Sequence, residues 1–304
     1  MLSRRGFLAA GGAALASGAA VGLYTWRVEP QWVEVVRISM PLVGLPPELV
    51  GRTLLQVSDL HVGPNVDSDY LIRTLRTAAA LTPDFVALSG DFVSYRSASE
   101  YRELARVLES MPHGRLATIA SLGNHDYGPG WRSMTIADGV ARVVGDAGAV
   151  LLRNQSRVIG GLQFAGLADY WSPEFGTPRP IRELLTSPPR LLGSGDLAPA
   201  ADAIASLDPA LPTVVLSHNP DTLDEPLWEG VRGWVLAGHT HGGQCKPPFL
   251  PPPVLPVRNR RYTAGAFNVG PGRTLYINRG LGYLIRARFN ARPEITLFTL
   301  QRAS

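Results

Sequence analysis

The sequence predicts an α/β fold in which two packed sheets are flanked by helices. Three observations point there. Short apolar runs alternate with stretches of helical periodicity between residues 53 and 146, the pattern of a layered α/β unit. Beyond residue 150 further short runs are joined by turns, which favours a second sheet over one open sheet. With 304 residues, 45% hydrophobic and 18% charged, the chain can bury a sizeable core and is neither a disordered tail nor a coiled coil. Its single cysteine, Cys245, excludes an intramolecular disulfide and a cysteine-cluster zinc site.

The elements follow in order. Ser3-Arg4-Arg5-Gly6-Phe7-Leu8 opens an uncharged stretch, Gly6–Trp26, in which seven alanines and five glycines leave only weak apolar character. Paired arginines before a mild apolar run read as a twin-arginine export signal, either cleaved or kept as an anchor. Residues 1–30 are therefore expected to be an address and 31–304 one domain. Membrane association is expected through residues 6–26. The expected location is the bacterial envelope, in the periplasm or on the outer face of the inner membrane. The cytoplasmic face is the alternative if the segment stays as an anchor.

Thr53–Ser58, Phe85–Ser89, Ala117–Ser121, Thr213–Ser217 and Gly233–Ala237 are buried-strand candidates. Ser68–Leu81 and Ser97–Met111 carry apolar residues at helical spacing, the second with Ser97 and Glu100 as a capping box; a third helix covers Ser133–Asp146. Val150–Asn154, Leu162–Ala165, Thr274–Asn278 and Ile295–Leu300 are the later strands, and Pro247–Arg261 is an irregular loop too long for a simple connection.

Polar chemistry begins where the first five strands end. Asp59-Leu60-His61, Gly90-Asp91, Gly123-Asn124-His125-Asp126, His218-Asn219 and Gly238-His239-Thr240-His241 follow them in turn. Ligand sites of α/β sheets lie beyond the carboxyl ends of the strands, so five ends deliver these groups to one edge. Five of the six histidines fall in these motifs; His113 alone does not. Carboxylates with imidazoles suit zinc, manganese or iron rather than calcium. Seven candidate ligands exceed one tetrahedral site and imply two divalent metals sharing a bridge.

The order D-x-H, G-D, G-N-H-D, H, G-H-x-H resembles the calcineurin-like metallophosphoesterase superfamily, across nearly all of residues 45–304. Gln56–Gly63, Pro83-Asp84, Gly238–Gln244 and Asn278–Gly282 resemble its exported or membrane-associated bacterial phosphodiesterase branch. The resemblance implies a four-layer α/β/β/α sandwich of two mixed sheets. It implies one metal held by Asp59, His61 and His241, a second by Asn124, His218 and His239, and Asp91 bridging both. His125 would lie beside the scissile phosphate as acid or transition-state stabiliser, oriented by Asp126. Two dications about 3.5–4 Å apart would supply a bridging hydroxide nucleophile near neutral pH.

The charge is uneven. From Lys246 onward one lysine and nine arginines face only Glu294, a local net of +9 within a total of +4. An anionic partner is expected at that end, with Arg258, Arg260 and Arg279 as substrate contacts. No nucleic-acid signature is evident, and oligomeric state is not legible. The implied activity is hydrolysis of a phosphodiester or phosphoanhydride, the substrate lipid-linked or envelope-derived. A UDP-2,3-diacylglucosamine pyrophosphatase of lipid A synthesis is the enzymatic alternative, and a non-catalytic scaffold the other.

Overall fold

Residues 4–176 and 197–303 are described by the computed structural model. Helix α1 (Arg4–Leu23) leads into β1 (Glu34–Leu42) and β2 (Thr53–Val57). Then come α2 (Ser68–Ala79), β3 (Phe85–Ser89), α3 (Ser99–Leu108), β4 (Ala117–Ser121) and α4 (Met134–Asp146). Strands β5 (Val150–Leu151), β6 (Gln155–Ile159) and β7 (Leu162–Gly166) precede α5 (Ala198–Ala205). The chain closes with β8 (Thr213–Leu216), β9 (Gly233–Ala237), β10 (Gly265–Gly270), β11 (Arg273–Ile277) and β12 (Glu294–Arg302). Two six-stranded mixed sheets result, ordered β1-β12-β2-β3-β4-β5 and β10-β11-β9-β8-β7-β6.

Alternation within the strands explains the layering. In β3, Phe85 and Ala87 join a core with Leu54, Phe164, Val214, Leu216, Leu236 and Phe298, drawn from both sheets. Val86 and Leu88 point the other way, into a core with Leu71 and Leu75 of α2, Leu104 and Val107 of α3, and Val140 and Val144 of α4. The second sheet repeats the arrangement: Val215, Val235 and Ile277 face Ala200 and Ile204 of α5. Successive strand residues face opposite sides, so a strand apolar on both faces needs cover on both. The expected four-layer α/β/β/α sandwich follows. Each fully buried leucine or valine contributes about 1.5–3 kcal/mol relative to exposure.

Helix starts differ in one respect from expectation. Asp67 caps α2 by accepting from Asp69 N at 2.9 Å, and Ser133 caps α4 through Ile136 N at 3.3 Å. The capping box at Ser97 does not form. Helix α3 begins at Ser99, and the Glu100 carboxylate accepts from Arg96 N at 2.6 Å instead.

Strands β2, β3 and β4 run parallel, as do β8 and β9, so their carboxyl ends meet along one edge. Inter-sheet bonds lock that edge: Gln56 Nε2 donates to Ala237 O at 2.9 Å. Gly238 is required there, since a Cβ would lie 2.2 Å from Asp59 Oδ2.

Of the N-terminal address, Ser3 lies outside the described residues, and α1 begins at Arg4. No described helix is long and apolar enough to cross a membrane. The turns after α1 are stitched to the far end of the chain. Thr25 O accepts from Arg288 N at 2.9 Å, and the buried Glu29 carboxylate accepts from Ala291 N at 2.6 Å.

Candidate metal centre

Five strand ends bring their side chains together as the spacing predicts. Ligand-type atoms of Asp59, His61 and His241 lie within 4.8 Å of one another, and so do those of Asp91, His218 and His239. Asp91 Oδ2 stands between the two groups, 3.4 Å from His61 Nε2 and 3.1 Å from His218 Nε2. Asn124 Oδ1 approaches His239 Nδ1 at 2.9 Å. All seven of these residues are buried, while His125 is half-buried. Its ring stands edge-on to His61 with centroids 4.9 Å apart, and its N–H donates to Asp91 Oδ1 at 2.9 Å.

Backbone geometry sets this constellation. Asp59, His61, Asp91, His239 and His241 have φ of 53°, 49°, 56°, 71° and 50°. None is glycine, and each such left-handed residue costs on the order of 1–3 kcal/mol, a strain that clusters at functional sites. Bonds across the edge hold the strained turns: Asp59 N donates to Gly90 O at 2.9 Å, and His239 N to Asp59 Oδ1 at 3.0 Å.

The hydrogen bonds assign tautomers, and the tautomers show that the site fits cations. His218 Nδ1 faces Ser89 O at 2.7 Å; a carbonyl only accepts, so that nitrogen carries the proton. Nε2 of His218 faces Asp91 Oδ2 at 3.1 Å with no hydrogen-bond partner; burial opposes its charge, but Asp91 and Asp59 raise the ring well above its ordinary value, so this position calls for positive charge, a proton or a metal ion. His239 donates from Nε2 to Pro256 O at 2.8 Å, leaving a Nδ1 lone pair against Asn124 Oδ1. Opposed acceptors in a buried site need positive charge between them.

Electrostatics agree. Burial pushes His61 and His239 down to about 3, and His241 well below its ordinary value, so these rings are neutral donors. Burial opposes ionisation of Asp91, but the charges of His218 and His125 outweigh it and hold the carboxyl well below its usual range. Burial raises Asp59 to about 6. Neutral imidazoles with carboxylates form a donor set for zinc, manganese or iron.

Asp126 departs from expectation. The family resemblance has it orient His125, yet both its oxygens accept from backbone amides. Oδ1 accepts from Phe92 N at 2.8 Å and Val93 N at 3.2 Å; Oδ2 accepts from Asp91 N at 3.0 Å and Gly123 N at 2.8 Å. It braces the Asp91 and Asn124 loops rather than the imidazole. Gly123 permits the approach, since a Cβ there would sit 2.3 Å from Asp91 Oδ1.

The arginines assigned to substrate are placed as follows. Arg279 donates to Glu294 at 2.5 Å and to Glu34 at 2.8 Å. Arg258 is bonded to the Tyr170 hydroxyl and pairs with Glu225 at 3.2 Å. Each guanidinium meets a buried carboxylate, Glu294 for Arg279 and Glu225 for Arg258, a stronger demand than a surface contact. Arg260 is exposed and donates to Pro252 O at 2.7 Å.

Three features near the site carried no sequence signal of a role. Arg288 is fully buried; its Nη2 donates to Gly282 O at 2.6 Å and lies 3.4 Å from His241 Nδ1, and burial lowers it to about 10. Trp131 and Trp171 stack with centroids 4.5 Å apart, Trp171 also standing edge-on to His239. Asp169 is buried with Oδ2 unpartnered, and burial pushes it up to about 7.

Comparison with known proteins adds the following. The family model described as calcineurin-like phosphoesterase matches residues 52–243. Phosphodiesterase YaeI of Escherichia coli K12 is 30% identical over 99% of this chain and 100% of its own length. UDP-2,3-diacylglucosamine pyrophosphatase LpxG of Chlamydia trachomatis serovar D is 30% identical over 94% of this chain and 95% of its own. The uncharacterized metallophosphoesterase YkuE of Bacillus subtilis 168 is 28% identical over 99% and 98%.

Proposed function

From the premise that this chain belongs to the calcineurin-like phosphoesterase family and is a hydrolase of phosphoric esters, we propose a dinuclear phosphodiesterase. The observation that carries it is Asp91 Oδ2, 3.4 Å from His61 Nε2 of the Asp59–His61–His241 group and 3.1 Å from His218 Nε2 of the group it shares with His239. Asp59, His61 and His241 would hold one divalent cation and Asn124, His218 and His239 the other, with Asp91 shared. When bound, the two cations would activate water and neutralise phosphate oxygens as charge builds in the transition state.

The remaining work falls to the chain. His61, His239 and His241 are kept neutral by burial and stay available as donors at neutral pH. Ser89 O fixes the His218 tautomer and Pro256 O that of His239. His125, half-buried while the ligands are buried and edge-on to His61, is the group placed to hand a proton to a leaving oxygen. Trp131 and Trp171 wall one side against water.

YaeI, named a phosphodiesterase, supports a diester substrate. LpxG supports the second reading, cleavage of the anhydride of UDP-2,3-diacylglucosamine, at 30% identity. We further propose residues 1–30 as the address and 31–304 as the catalytic unit. In this reading residues 6–26 carry the chain to the membrane, by twin-arginine export or, for the pyrophosphatase reading, as a retained anchor. Cleavage upstream of Tyr24 would leave Thr25 and Glu29 in their bonds.

One preparation tests the function. Purified protein loaded with Mn²⁺ or Zn²⁺ is given bis-p-nitrophenyl phosphate, a phosphomonoester and a UDP-acyl-sugar, with metal content measured alongside. Diester hydrolysis with two metals per chain is expected. Full metal occupancy without turnover of any phosphoester would refute the enzyme and favour the scaffold.

A further inference from the structure

Three exposed apolar segments, far apart in sequence, are sewn to one strip of chain, residues 285–291. The first is the tip of the loop after the last ligand motif. Phe249 is 104% exposed relative to its reference state and Val254 75%, although Leu255 and Val257 of the same loop are buried. The second is Leu284-Ile285, with Ile285 72% exposed. The third is the end of the N-terminal arm, where Leu23, Trp26 and Val28 are exposed.

The bonds that join them are specific. Gln244 Nε2 donates to Ile285 O at 3.0 Å and Ala287 O at 2.9 Å, and Lys246 N donates to Phe289 O at 2.8 Å. The base of the 249–254 tip therefore runs beside 285–289. The arm joins through Arg288 N to Thr25 O at 2.9 Å, through Glu29 to Ala291 N, and by an edge contact of Tyr24 on Phe289. The same strip touches the metal centre: Arg288 reaches His241 Nδ1, and the loop holds His239 through Pro256 O.

Exposed apolar residues scattered singly need no explanation, but a contiguous rim of them does. Charge identifies the partner. Arg27, Arg260 and Arg261 are exposed and Lys246 and Arg286 half-buried beside this rim, and no ion pair among the described residues involves them. Large apolar side chains at loop tips with uncompensated basic residues around them match an anionic bilayer surface, where rings enter the headgroup boundary and cations meet phosphates. A protein partner would need complementary acidic chains and a shaped groove; these tips protrude.

We infer that the rim formed by Phe249, Leu250, Val254, Leu284 and Ile285 docks on an anionic lipid surface, continuous with the N-terminal arm. This surface stands apart from the hydrolase reading, because membrane attachment requires no turnover.

The full-length chain is sedimented with vesicles of phosphatidylcholine alone and with about 30% phosphatidylglycerol added. The wild type is expected to partition onto the anionic vesicles and to leave them as salt rises. Phe249→Glu/Leu250→Glu and, separately, Ile285→Glu are expected to weaken that partition about tenfold or more. Melting temperature certifies that each variant is folded, and hydrolysis of bis-p-nitrophenyl phosphate, a soluble diester, is expected to be unchanged. Unaltered partition of both folded variants, or no binding of the wild type to either vesicle, would overturn the inference. Equal partition onto phosphatidylcholine alone would overturn its anionic component.

Discussion

Asp126→Asn separates two roles for one carboxylate. If Asp126 oriented His125, the amide would lower turnover and leave the fold intact. The geometry dictates otherwise. Four amides converge on the carboxylate, those of Phe92 and Val93 on one oxygen and those of Asp91 and Gly123 on the other. An asparagine keeps one oxygen and presents its own NH₂ to the second pair, so two buried N–H groups lose their acceptor. Each orphaned donor costs about 1–3 kcal/mol, so about 2–6 kcal/mol is expected in total. For a domain of this size that lowers Tm by roughly 5–20 °C. Differential scanning calorimetry of the apo and metal-loaded variant measures it, with metal content as a second reading, since the released loops carry Asp91 and Asn124. A Tm within about 2 °C of wild type together with a large loss of turnover would refute this assignment and return Asp126 to the imidazole.

His125→Ala should lower turnover on bis-p-nitrophenyl phosphate by about 10²- to 10⁴-fold with metal content unchanged, because the residue is half-buried and outside the proposed ligand set; elemental analysis beside kinetics checks both. Asp91→Ala should empty both sites, whereas His241→Ala should empty one, and metal-to-protein ratios distinguish the outcomes. Asp84 is held below its ordinary 3.8 despite burial, by the N–H and hydroxyl of Thr53 and by Arg115. A depressed carboxyl stabilises the fold above its unfolded value and loses that contribution as pH falls through its native one. Asp84→Asn should therefore cost about 1–3 kcal/mol at pH 7 and converge on wild type in acid, by denaturant titration across pH. Burial raises the Cys245 thiol, so it should alkylate slowly at neutral pH, and Cys245→Ser should keep activity within about twofold by the same kinetics.

Legibility followed position in the sheets. The interior strands, β2, β3, β4, β7, β8, β9, β11 and β12, all stood out as apolar runs, because both of their faces are covered. Of the four edge strands only β5 did, and only in part. β1, β6 and β10 went unrecognised and β5 was drawn too long; β6 reads Gln-Ser-Arg-Val-Ile, with most of its side chains turned to solvent. An edge strand needs only half the apolar pattern of a central one, so its composition resembles a loop. The Ser97–Glu100 pair misled because the carboxylate found an amide just outside the helix first.

The site was legible where a ligand follows directly on a strand, since strand direction alone fixes the edge it reaches. It was illegible where a side chain answers to groups distant in sequence. Asp126 is adjacent to His125 in the chain, but its partners are the amides of a neighbouring turn. Arg258 and Arg279 read as free positive charge because Glu225, Glu294 and Glu34 lie far away along the chain. Part of the basic C-terminal excess, Arg258, Arg279 and Arg288, is thus internal, and Arg288 is wholly enclosed.

The place of β12 constrains how the protein comes into being. Residues 294–302 wedge between residues 34–42, which they pair in parallel, and residues 53–57, which they pair antiparallel. The first sheet cannot close until those late residues have left the ribosome, and until then β1 and β2 present open edges to the cell. Asp59 and His61, at the end of β2, rest on a strand whose neighbour is made long after it. Until β12 is in place β2 lacks one of its two neighbours, so tight metal binding is expected to follow closure of the first sheet rather than precede it.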